Sequence, residues 1–234
     1  MNDPEALFRH PSTTVFKDSK TSTVAVVQIA DMAYVLKRFN IKRWHTPLAN
    51  LVRPSPALRS WVGACAMENR RLPTPRALAV SHRRRFGLQR EGYLLMEHLP
   101  AAKTLDEITV APRKAVFAES ADLVRLMHQR GLSHRDLKAS NVVVSGGRIF
   151  LIDLVGLERQ RTVSADRRRR DLTRLCVSSL TMSGVTQTTR LRWLRLYLGG
   201  TSKEWGEWKS WWKDILRRCL DKLEKIRLGG RGLH

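Results

Sequence analysis

Short apolar runs with alternating polar positions open the chain and predict a series of β-strands. The runs are rich in β-branched residues, which favour extended backbone, and they cover Thr13–Lys17, Thr23–Gln28 and Ala33–Phe39. Their close succession, with short polar connections, is typical of an antiparallel meander. Farther along, apolar residues at helical spacing predict a helix over Ala57–Arg70, between two proline-containing segments.

Two more predicted strands follow this helix and complete the first part of the chain. Apolar runs at Ala77–Ser81 and Gly92–His98 read as the strands, and the basic cluster Arg83–Arg85 reads as the turn between them. The segment Leu99–Ala102 then resembles a connector. The pattern therefore predicts two lobes, a β-rich one over residues 1–99 and a second one over residues 100–234.

The second part has mainly helical periodicity. A long amphipathic pattern predicts a helix over Pro112–Arg130, and Gly131 follows it as a helix-ending residue. Short apolar runs at Val142–Val144 and Arg148–Ile152 predict two small strands, and helical patterns return from Asp171 onward. The predicted fold class is α+β, with an antiparallel sheet and one helix in the first lobe and a reduced, mainly helical second lobe.

A segment between the long helix and the small strands carries the sharpest chemical signal. Its eight residues, His134-Arg-Asp-Leu-Lys-Ala-Ser-Asn141, fit the catalytic-loop pattern H-R-D-x-x-x-x-N of protein kinases. In that pattern Asp136 accepts or orients the proton of the attacking hydroxyl. We expect His134 and Arg135 to pack and orient the loop rather than to react.

Two further motifs stand in the order that a kinase-like fold requires. Asp153 ends an apolar strand twelve residues after Asn141, in Ile-Asp-Leu-Val-Gly, which resembles the D-F-G motif with one extra residue. Lys37 lies ninety-nine residues before Asp136, in Val-Leu-Lys, which resembles the strand lysine of V-A-I-K. Each motif alone occurs by chance, but their joint order and context predict a bilobal protein-kinase-like fold.

The residue types suit transfer of the γ-phosphoryl group of ATP, which depends mainly on positioning and charge stabilisation. Asn141 and Asp153 offer the oxygen ligands that Mg²⁺ prefers. Lys37 is expected to hold the α- and β-phosphates as a point charge, and Lys138 to reach the γ-phosphate. The predicted cofactors are therefore ATP and Mg²⁺, with Asp136 and Lys138 as the catalytic residues.

The sequence departs from the protein-kinase pattern at two places. No Gly-x-Gly-x-x-Gly precedes Lys37, and Pro11–Phe16 occupies that place. The predicted helix over Ala57–Arg70 has one acid, Glu68, near its end, where a kinase usually pairs the strand lysine with a mid-helix glutamate. Glu68 is thus either the partner of Lys37 in ATP binding or a surface residue.

Four stretches together resemble the bacterial lipopolysaccharide kinases, which phosphorylate heptose or 3-deoxy-D-manno-octulosonic acid (Kdo) in the inner core. They are Tyr34–Phe39, Leu72–Pro75, the loop His134–Asn141, and Ile152-Asp153 followed by Arg168–Leu175. The resemblance implies phosphorylation of a sugar hydroxyl on a lipid-linked glycan at the cytoplasmic face of the inner membrane. It also implies that Asp171 lies in a helix beneath the catalytic loop and holds the loop by hydrogen bonds; the alternative is a surface acid paired with an arginine.

Composition and charge restrict the classes of partner that the protein is expected to bind. The chain of 234 residues has a formal charge of +22, which predicts an anionic partner: nucleic acid, nucleotide, phosphorylated glycan or lipid headgroup. Both ends are strongly basic, whereas residues 101–156, which hold the loop motif, are nearly balanced in charge, so nucleic acid becomes the less favoured partner.

Three widely spaced cysteines argue against a disulfide framework, and the chain has no run of about 18 apolar residues that could span a membrane. We therefore expect a cytoplasmic protein.

Five tryptophans interleaved with basic residues lie between Trp193 and Trp212. They suit peripheral contact with anionic headgroups, or they fill the core of the helical lobe. Two other functions stay open for the whole chain. One is an atypical protein kinase, and the other is a basic pseudokinase or scaffold that binds membrane or nucleic acid.

Overall fold

The computed structural model describes residues 3–40, 54–85, 88–108, 113–199 and 206–228. Its contacts divide the chain into two compact units. The first unit holds Met1–Asn69, Thr74–Pro100 and Asp153–Gly156, and the second holds Arg70–Pro73, Ala101–Ile152 and Leu157–His234. The main boundary falls at Pro100, and the short segment that begins with Asp153 belongs with the first unit.

The first unit is built on a five-stranded antiparallel sheet in the order β1-β2-β3-β5-β4. Its strands are β1 (Thr14–Asp18), β2 (Ser22–Ile29), β3 (Met32–Asn40), β4 (Ala77–Arg85) and β5 (Leu88–Glu97). One face of the sheet buries a cluster formed by Val27, Leu36, Tyr93 and Leu95. The predicted meander is present: β2 and β3 run one residue beyond each predicted end, and β1 is shifted by one residue along the chain.

The predicted turn at Arg83–Arg85 is wrong, because these residues lie in strand β4. The backbone of β4 stays in register with β5 to the end of the hairpin, where Arg83 lies opposite Glu91 and Arg85 opposite Leu88. A register shift between Arg83 and Arg84 accommodates the extra length. Consecutive arginines indicated a solvated turn, but an edge strand also tolerates charged residues.

Helix α2 (Pro56–Glu68) lies on the other face of the sheet. Ser55 caps its first turn, where the hydroxyl accepts a hydrogen bond from the Leu58 amide at 3.0 Å. The helix packs against the short 3₁₀ turn Leu154–Gly156, which follows Asp153. Val155 of this turn packs on a cluster of Phe39, Ala57 and Leu94. The packing of this turn fixes the chain immediately after Asp153.

A short helix that the sequence pattern did not reveal, α1 (Pro4–Arg9), is tied to the sheet by its glutamate. The Glu5 carboxylate accepts hydrogen bonds from Arg38 at 3.0 Å and from the Tyr93 hydroxyl at 2.7 Å. Burial raises the pKa of Glu5, but the hydrogen bonds from Tyr93 and Arg38 outweigh burial and hold this pKa below its ordinary value. Glu5 therefore stays ionised and anchors α1.

The second unit is mainly helical, as predicted. Its helices are α3 (Arg113–Gln129), α4 (Ala165–Ser178), α5 (Gln187–Leu198) and α6 (Trp208–Leu228). Its short strands are β6 (Lys103–Thr104), β7 (Leu132–His134), β8 (Val142–Ser145), β9 (Arg148–Leu151) and β10 (Leu157–Arg159). The predicted start of α3, Pro112, lies outside the described residues. The mixed class with an antiparallel first sheet is confirmed.

Gly131 joins α3 to the strand that leads into the catalytic loop. Its φ of +75° lies in the left-handed region, and a Cβ at this position would come within 2.3 Å of the Gln160 carbonyl oxygen. The same backbone accepts a hydrogen bond from the Gln160 amide at 2.8 Å. Only glycine allows this approach, which sets the start of β7 against β10.

The tryptophans of the helical unit mostly serve its interior. Trp211 is 1% exposed, and Trp193 stacks on Tyr197 and donates a hydrogen bond to Ser120 at 2.8 Å. Trp193 and Trp212 also line an apolar pocket of about 550 Å³. Trp205 lies outside the described residues. Among the described helices, none is both long enough and apolar enough to cross a membrane.

Candidate active site

In the first unit, Lys37 and Asp153 form an ion pair with 2.7 Å between Nζ and Oδ1. The Lys37 side chain is 11% exposed and that of Asp153 is 29% exposed, so the pair is shielded without being sealed from solvent. Sequence reasoning assigned both residues to ATP and Mg²⁺. The structure brings them together although 116 positions separate them in the chain.

The position of each partner follows from the local fold. Lys37 lies on β3, the central strand of the sheet, and shares a face with Phe39, whose ring centre is 4.9 Å from Nζ. Asp153 has φ of 59°, a left-handed conformation that aspartate tolerates better than most residues. Such backbone conformations persist where the surroundings enforce them, and the packed turn Leu154–Gly156 supplies that constraint.

Glu68 does not take the role that the kinase pattern assigns to the helix glutamate. It is the last residue of α2 and is exposed, and within the described residues Lys37 has its ion pair with Asp153 instead. The buried face of α2 is formed by small residues such as Ala57, Ala64 and Ala66. A mid-helix acid is thus absent from the face where such a partner would have to lie.

The catalytic loop of the second unit is held by its own histidine. The His134 side chain is fully buried, and its Nδ1 accepts a hydrogen bond from the Asp136 amide at 3.2 Å. Leu137, also fully buried, anchors the middle of the loop. With His134 and Leu137 inside, Asp136 between them is directed outward, and its side chain is 57% exposed. His134 thus contacts the backbone of the loop from the interior, and its role in orienting the loop stays a prediction.

Asp171 lies on α4 and holds this loop from beneath. It is 3% exposed, and its Oδ2 accepts a hydrogen bond from the His134 amide at 2.8 Å. The same oxygen lies 3.3 Å from Nε2 of His128, whose Nδ1 is 2.8 Å from the Tyr197 hydroxyl. Because an ionised carboxylate only accepts, Nε2 of His128 is the donor in the contact with Asp171. Of the two interpretations of Asp171, the loop-holding one matches these contacts.

The reactive part of the loop brings three predicted residues together. The Lys138 ammonium lies 3.3 Å from Oδ2 of Asp136. Asn141 is 5% exposed, and its Nδ2 donates to the Asp136 carbonyl at 2.8 Å. This bond orients the Asn141 amide and leaves Oδ1 as the oxygen available for a cation. The loop thus presents a carboxylate, an ammonium and an amide oxygen on a rigid backbone.

Arg135 makes a more peripheral contact than the other loop residues. Its side chain is 67% exposed and lies 3.5 Å from Glu158 of β10, which also pairs with Arg167 of α4. An exposed pair of this kind contributes little to stability. Arg135 thus lies at the periphery of the loop, and its role in supporting the loop stays a prediction.

The strand hairpin that precedes Lys37 has no glycine. Its turn, between β1 and β2, is residues 19–21, whereas the last three residues of Pro11–Phe16, the segment that stands in place of the Gly-rich loop, lie in β1. Ser19 closes this turn, because its hydroxyl accepts from the Ser22 amide at 3.1 Å and donates to the Ser22 carbonyl at 2.9 Å. Hydrogen bonds made by a hydroxyl therefore close this turn, which contains no glycine.

Two residues near the loop were missed by the sequence reasoning. Ser178 of α4 accepts a hydrogen bond from the Ala139 amide at 2.9 Å. Since Ser178 lies seven positions after Asp171, helical periodicity from the predicted Asp171 contact could have revealed it. Lys222 of α6 is the other, and its charge acts on Asp136 and Lys138. No motif surrounds Lys222, so only tertiary structure identifies it.

Comparison with known proteins agrees with this geometry. A model of the lipopolysaccharide kinase (Kdo/WaaP) family matches residues 20–198. A 3-deoxy-D-manno-octulosonic acid kinase of Xanthomonas campestris pv. campestris (strain B100) is 40% identical over 119 residues, which are 49% of this chain and 46% of that protein. The enzyme of that name from Stenotrophomonas maltophilia (strain R551-3) is 38% identical over 90 residues, 38% of this chain and 36% of that protein. The matched stretch therefore spans less than half the length of these relatives.

A solved structure extends the comparison to nearly the whole chain. WaaP in complex with acyl carrier protein superposes with a TM-score of 0.66, covering 96% of this chain and 92% of that chain. The two sequences are 22% identical, so this likeness shows a shared fold.

Proposed function

The chain belongs to the lipopolysaccharide kinase (Kdo/WaaP) family, and from this premise we propose that it transfers the γ-phosphoryl group of ATP to a hydroxyl of an inner-core sugar. The observation that carries the proposal is the catalytic loop, in which Asp136 is held outward beside Lys138 by the buried His134 and Asp171. Exposure of that carboxylate on a fixed backbone is what an incoming hydroxyl requires.

Asp136 is the proposed base or proton acceptor of the acceptor hydroxyl. Its amide is fixed on His134 and its carbonyl on Asn141, so the carboxylate cannot drift as a loop side chain otherwise does. Positioned proton acceptance contributes about 10²- to 10⁴-fold in rate. Lys138, which lies 3.3 Å from this carboxylate, can move to the transferring phosphoryl group and stabilise its charge.

Asn141 and Asp153 are the proposed Mg²⁺ ligands, and their chemistry fits that ion. Mg²⁺ usually takes one or two protein oxygens and completes its shell with water and substrate phosphates. Accordingly, the described residues contain no cluster of three or more histidine, cysteine or acidic ligands. When bound, the ion neutralises charge on the phosphates of ATP. Asn141 contributes Oδ1, since its Nδ2 is engaged with the Asp136 carbonyl.

Lys37 is the proposed contact for the α- and β-phosphates. Its pairing with Asp153 keeps the ammonium in place on β3 without the helix glutamate of other kinases. The β1–β2 turn, which contains the exposed Lys20 and Thr21, is the proposed cover for the phosphates.

Kdo is the preferred acceptor in this proposal, and heptose is the second. The support is the partial sequence identity to two Kdo kinases, which reaches 40% over 119 residues. Both sugars present several hydroxyls to a positioned carboxylate, so the acceptor must be identified by experiment.

We propose in addition that the chain works at the cytoplasmic face of the inner membrane, where a lipid-linked acceptor is confined. The support is the exposed basic side of α6, because basic residues near an anionic surface contribute about 1 kcal/mol each. The exposed basic residues are Lys209, Lys213, Arg217, Lys225 and Arg227. Sedimentation with anionic vesicles, but not with neutral ones, is the expected result, and equal recovery with both would contradict this part of the proposal.

The test of the reaction is product analysis. Purified protein is incubated with Mg-ATP and deacylated core oligosaccharides that end in Kdo or heptose, and the products are analysed by mass spectrometry. We expect one phosphate ester on the glycan, dependent on both ATP and Mg²⁺. Absence of any glycan product together with efficient labelling of proteins would favour an atypical protein kinase instead.

A further inference from the structure

Lys222 lies on α6, which begins ten residues after the part of the chain that matches the family model. One turn before Lys222, the buried Cys219 donates from its thiol to the Thr173 carbonyl at 3.7 Å. Thr173 precedes Arg174 on α4. This contact places the Lys222 turn of α6 against the helix that supports the catalytic loop.

Several charges of the catalytic region act on the Lys222 ammonium. Burial lowers the pKa of Lys222, Arg174 and Lys138 lower it further, and Asp136 raises it. The Asp136 carboxylate and two cations, Lys138 and Arg174, therefore act electrostatically on Lys222. A lysine in this environment is partly desolvated and lies near two other cations, Arg174 and Lys138.

The carboxylates of this region are already paired with other cations. Asp136 lies 3.3 Å from Lys138, and Asp171 lies 3.4 Å from Arg174. Within the described part of the chain, Lys222 makes no hydrogen bond or ion pair of its own. Three cations therefore face two carboxylates. A half-buried ammonium without a partner is unfavourable, and an anion supplied from outside would relieve it.

We propose that Lys222, together with Arg174, binds an anionic group of the sugar acceptor, a carboxylate or a phosphate ester, beside the hydroxyl that Asp136 activates. The proposal rests on the proposed function and adds the recognition of the acceptor to it. Arg174 is 32% exposed and Lys138 is 39% exposed, so the cluster is open to a ligand. The anion would sit close to the attacking hydroxyl, which is where an acid group of a sugar lies.

The variants Lys222→Gln and Lys222→Arg test the charge, and Lys114→Gln, an exposed change on α3, serves as the matched control. Each is assayed with Mg-ATP and three acceptors: a Kdo oligosaccharide with a free carboxylate, its methyl ester, and a phosphorylated form of the ester. The carboxylate and phosphate arms separate the two sources of negative charge. For each acceptor we measure kcat, the acceptor KM and the ATP KM.

Lys222→Gln is expected to raise the KM of the anionic acceptor about tenfold, the size of one charge-assisted hydrogen bond. The KM of the neutral ester, the KM of ATP and kcat should stay within about twofold, a margin well below that tenfold effect. Lys222→Arg should retain most of the preference, and Lys114→Gln should behave as wild type. An equal change for charged and neutral acceptors, or a rise confined to the ATP KM, overturns the proposal.

Acceptor binding without ATP, measured by isothermal titration calorimetry, separates this proposal from the reaction. If no glycan is phosphorylated but the anionic glycan binds more weakly to Lys222→Gln, the anion site stands and the proposed reaction fails. If phosphorylation occurs and Lys222→Gln binds and reacts like wild type, the anion site fails and the reaction stands. Absence of both binding and transfer contradicts both.

Discussion

Among the side chains of the first unit, Lys37 has the surroundings that most restrict the chemical role it can take. Its side chain is 11% exposed, and its ammonium lies 2.7 Å from the Asp153 carboxylate and 4.9 Å from the centre of the Phe39 ring. A cation this far from solvent requires a partner of opposite charge. Asp153 is a partner that can be exchanged, because its carboxylate also suits Mg²⁺. In the proposed function, the pair of Lys37 and Asp153 holds both groups ready until phosphates arrive.

Replacing Lys37 with methionine should raise the KM for ATP about tenfold or more, because a phosphate contact from a charged donor is lost. The variant should still fold, since Met is similar in volume and lies beside Phe39, but its stability should fall because Asp153, 29% exposed, loses its cation. Steady-state kinetics and thermal unfolding measure the two effects. Lys17→Met, an exposed change on β1, is the control. An unchanged ATP KM in a folded Lys37→Met protein would contradict the assignment.

Asp171 works through another residue, because its carboxylate holds the backbone of His134 rather than reaching the substrates. Asp171→Ala would leave that buried amide without an acceptor, so the free energy of unfolding should fall by about 1–3 kcal/mol. We also expect kcat to fall while the ATP KM stays constant. Denaturant unfolding and kinetics check both expectations, with the exposed Asp122→Ala as control. A folded variant with wild-type kcat would exclude a positioning role.

At the scale of elements, helix α1 depends on one titratable anchor, Glu5. The pKa of Glu5 is held below its ordinary value of 4.5, so the contribution of Glu5 to stability is present above that value and is lost as pH falls through the folded pKa. Wild type should exceed Glu5→Gln in stability by about 1 kcal/mol near neutral pH, since the pair with Arg38 is partly exposed. Thermal unfolding from about pH 6 to about pH 3 should show the two proteins converge. A constant difference across this range would show that the charge of Glu5 is not the anchor.

Helix α4 carries several side chains that contact the backbone of the catalytic loop or lie beside it. Asp171, Arg174 and Ser178 follow at helical spacing and so share a face, and two of them hydrogen-bond the loop backbone at His134 and Ala139. The helix begins at Ala165, six residues before the predicted start, because Ser164 caps it. The arginine run had obscured this cap, since charged residues carry no apolar periodicity.

The elements that the sequence predicted well are those whose apolar period is long and regular. Strands β2 and β3 and helices α2 and α3 fall within a few residues of their predicted bounds. The short strands β6, β7 and β10 were missed, because two or three residues show no period. Helix α1 was missed because its stability comes from Glu5, Arg38 and Tyr93, which are far apart in the chain.

At the scale of the whole molecule, motif order predicted the kinase-like class and the members of the candidate site. It could not predict pairings, which depend on tertiary geometry. Glu68 is exposed while Lys37 pairs with Asp153, and this outcome follows from the small residues on the buried face of α2. Lys222 has no motif and is recognised only when α6 packs on α4.

The positions of the basic residues divide the positive charge of the chain into two parts. Much of the +22 is basic surface, including the exposed side of α6, but part of it surrounds a catalytic carboxylate. Surface charge attracts any anion, whereas Lys138, Arg174 and Lys222 are arranged around Asp136 and its support. Selection of an anionic sugar is the property that we propose for this arrangement.

The most direct test of the central claim is transfer of label from γ-labelled ATP to a Kdo-terminated oligosaccharide, measured for wild type and Asp136→Asn in parallel. Asn keeps the shape of the loop but cannot accept the proton. We predict glycan labelling by wild type and a rate lower by about 10²- to 10⁴-fold in Asp136→Asn, with unchanged thermal stability. No labelled glycan from wild type, or equal labelling by a folded Asp136→Asn protein, would contradict the account.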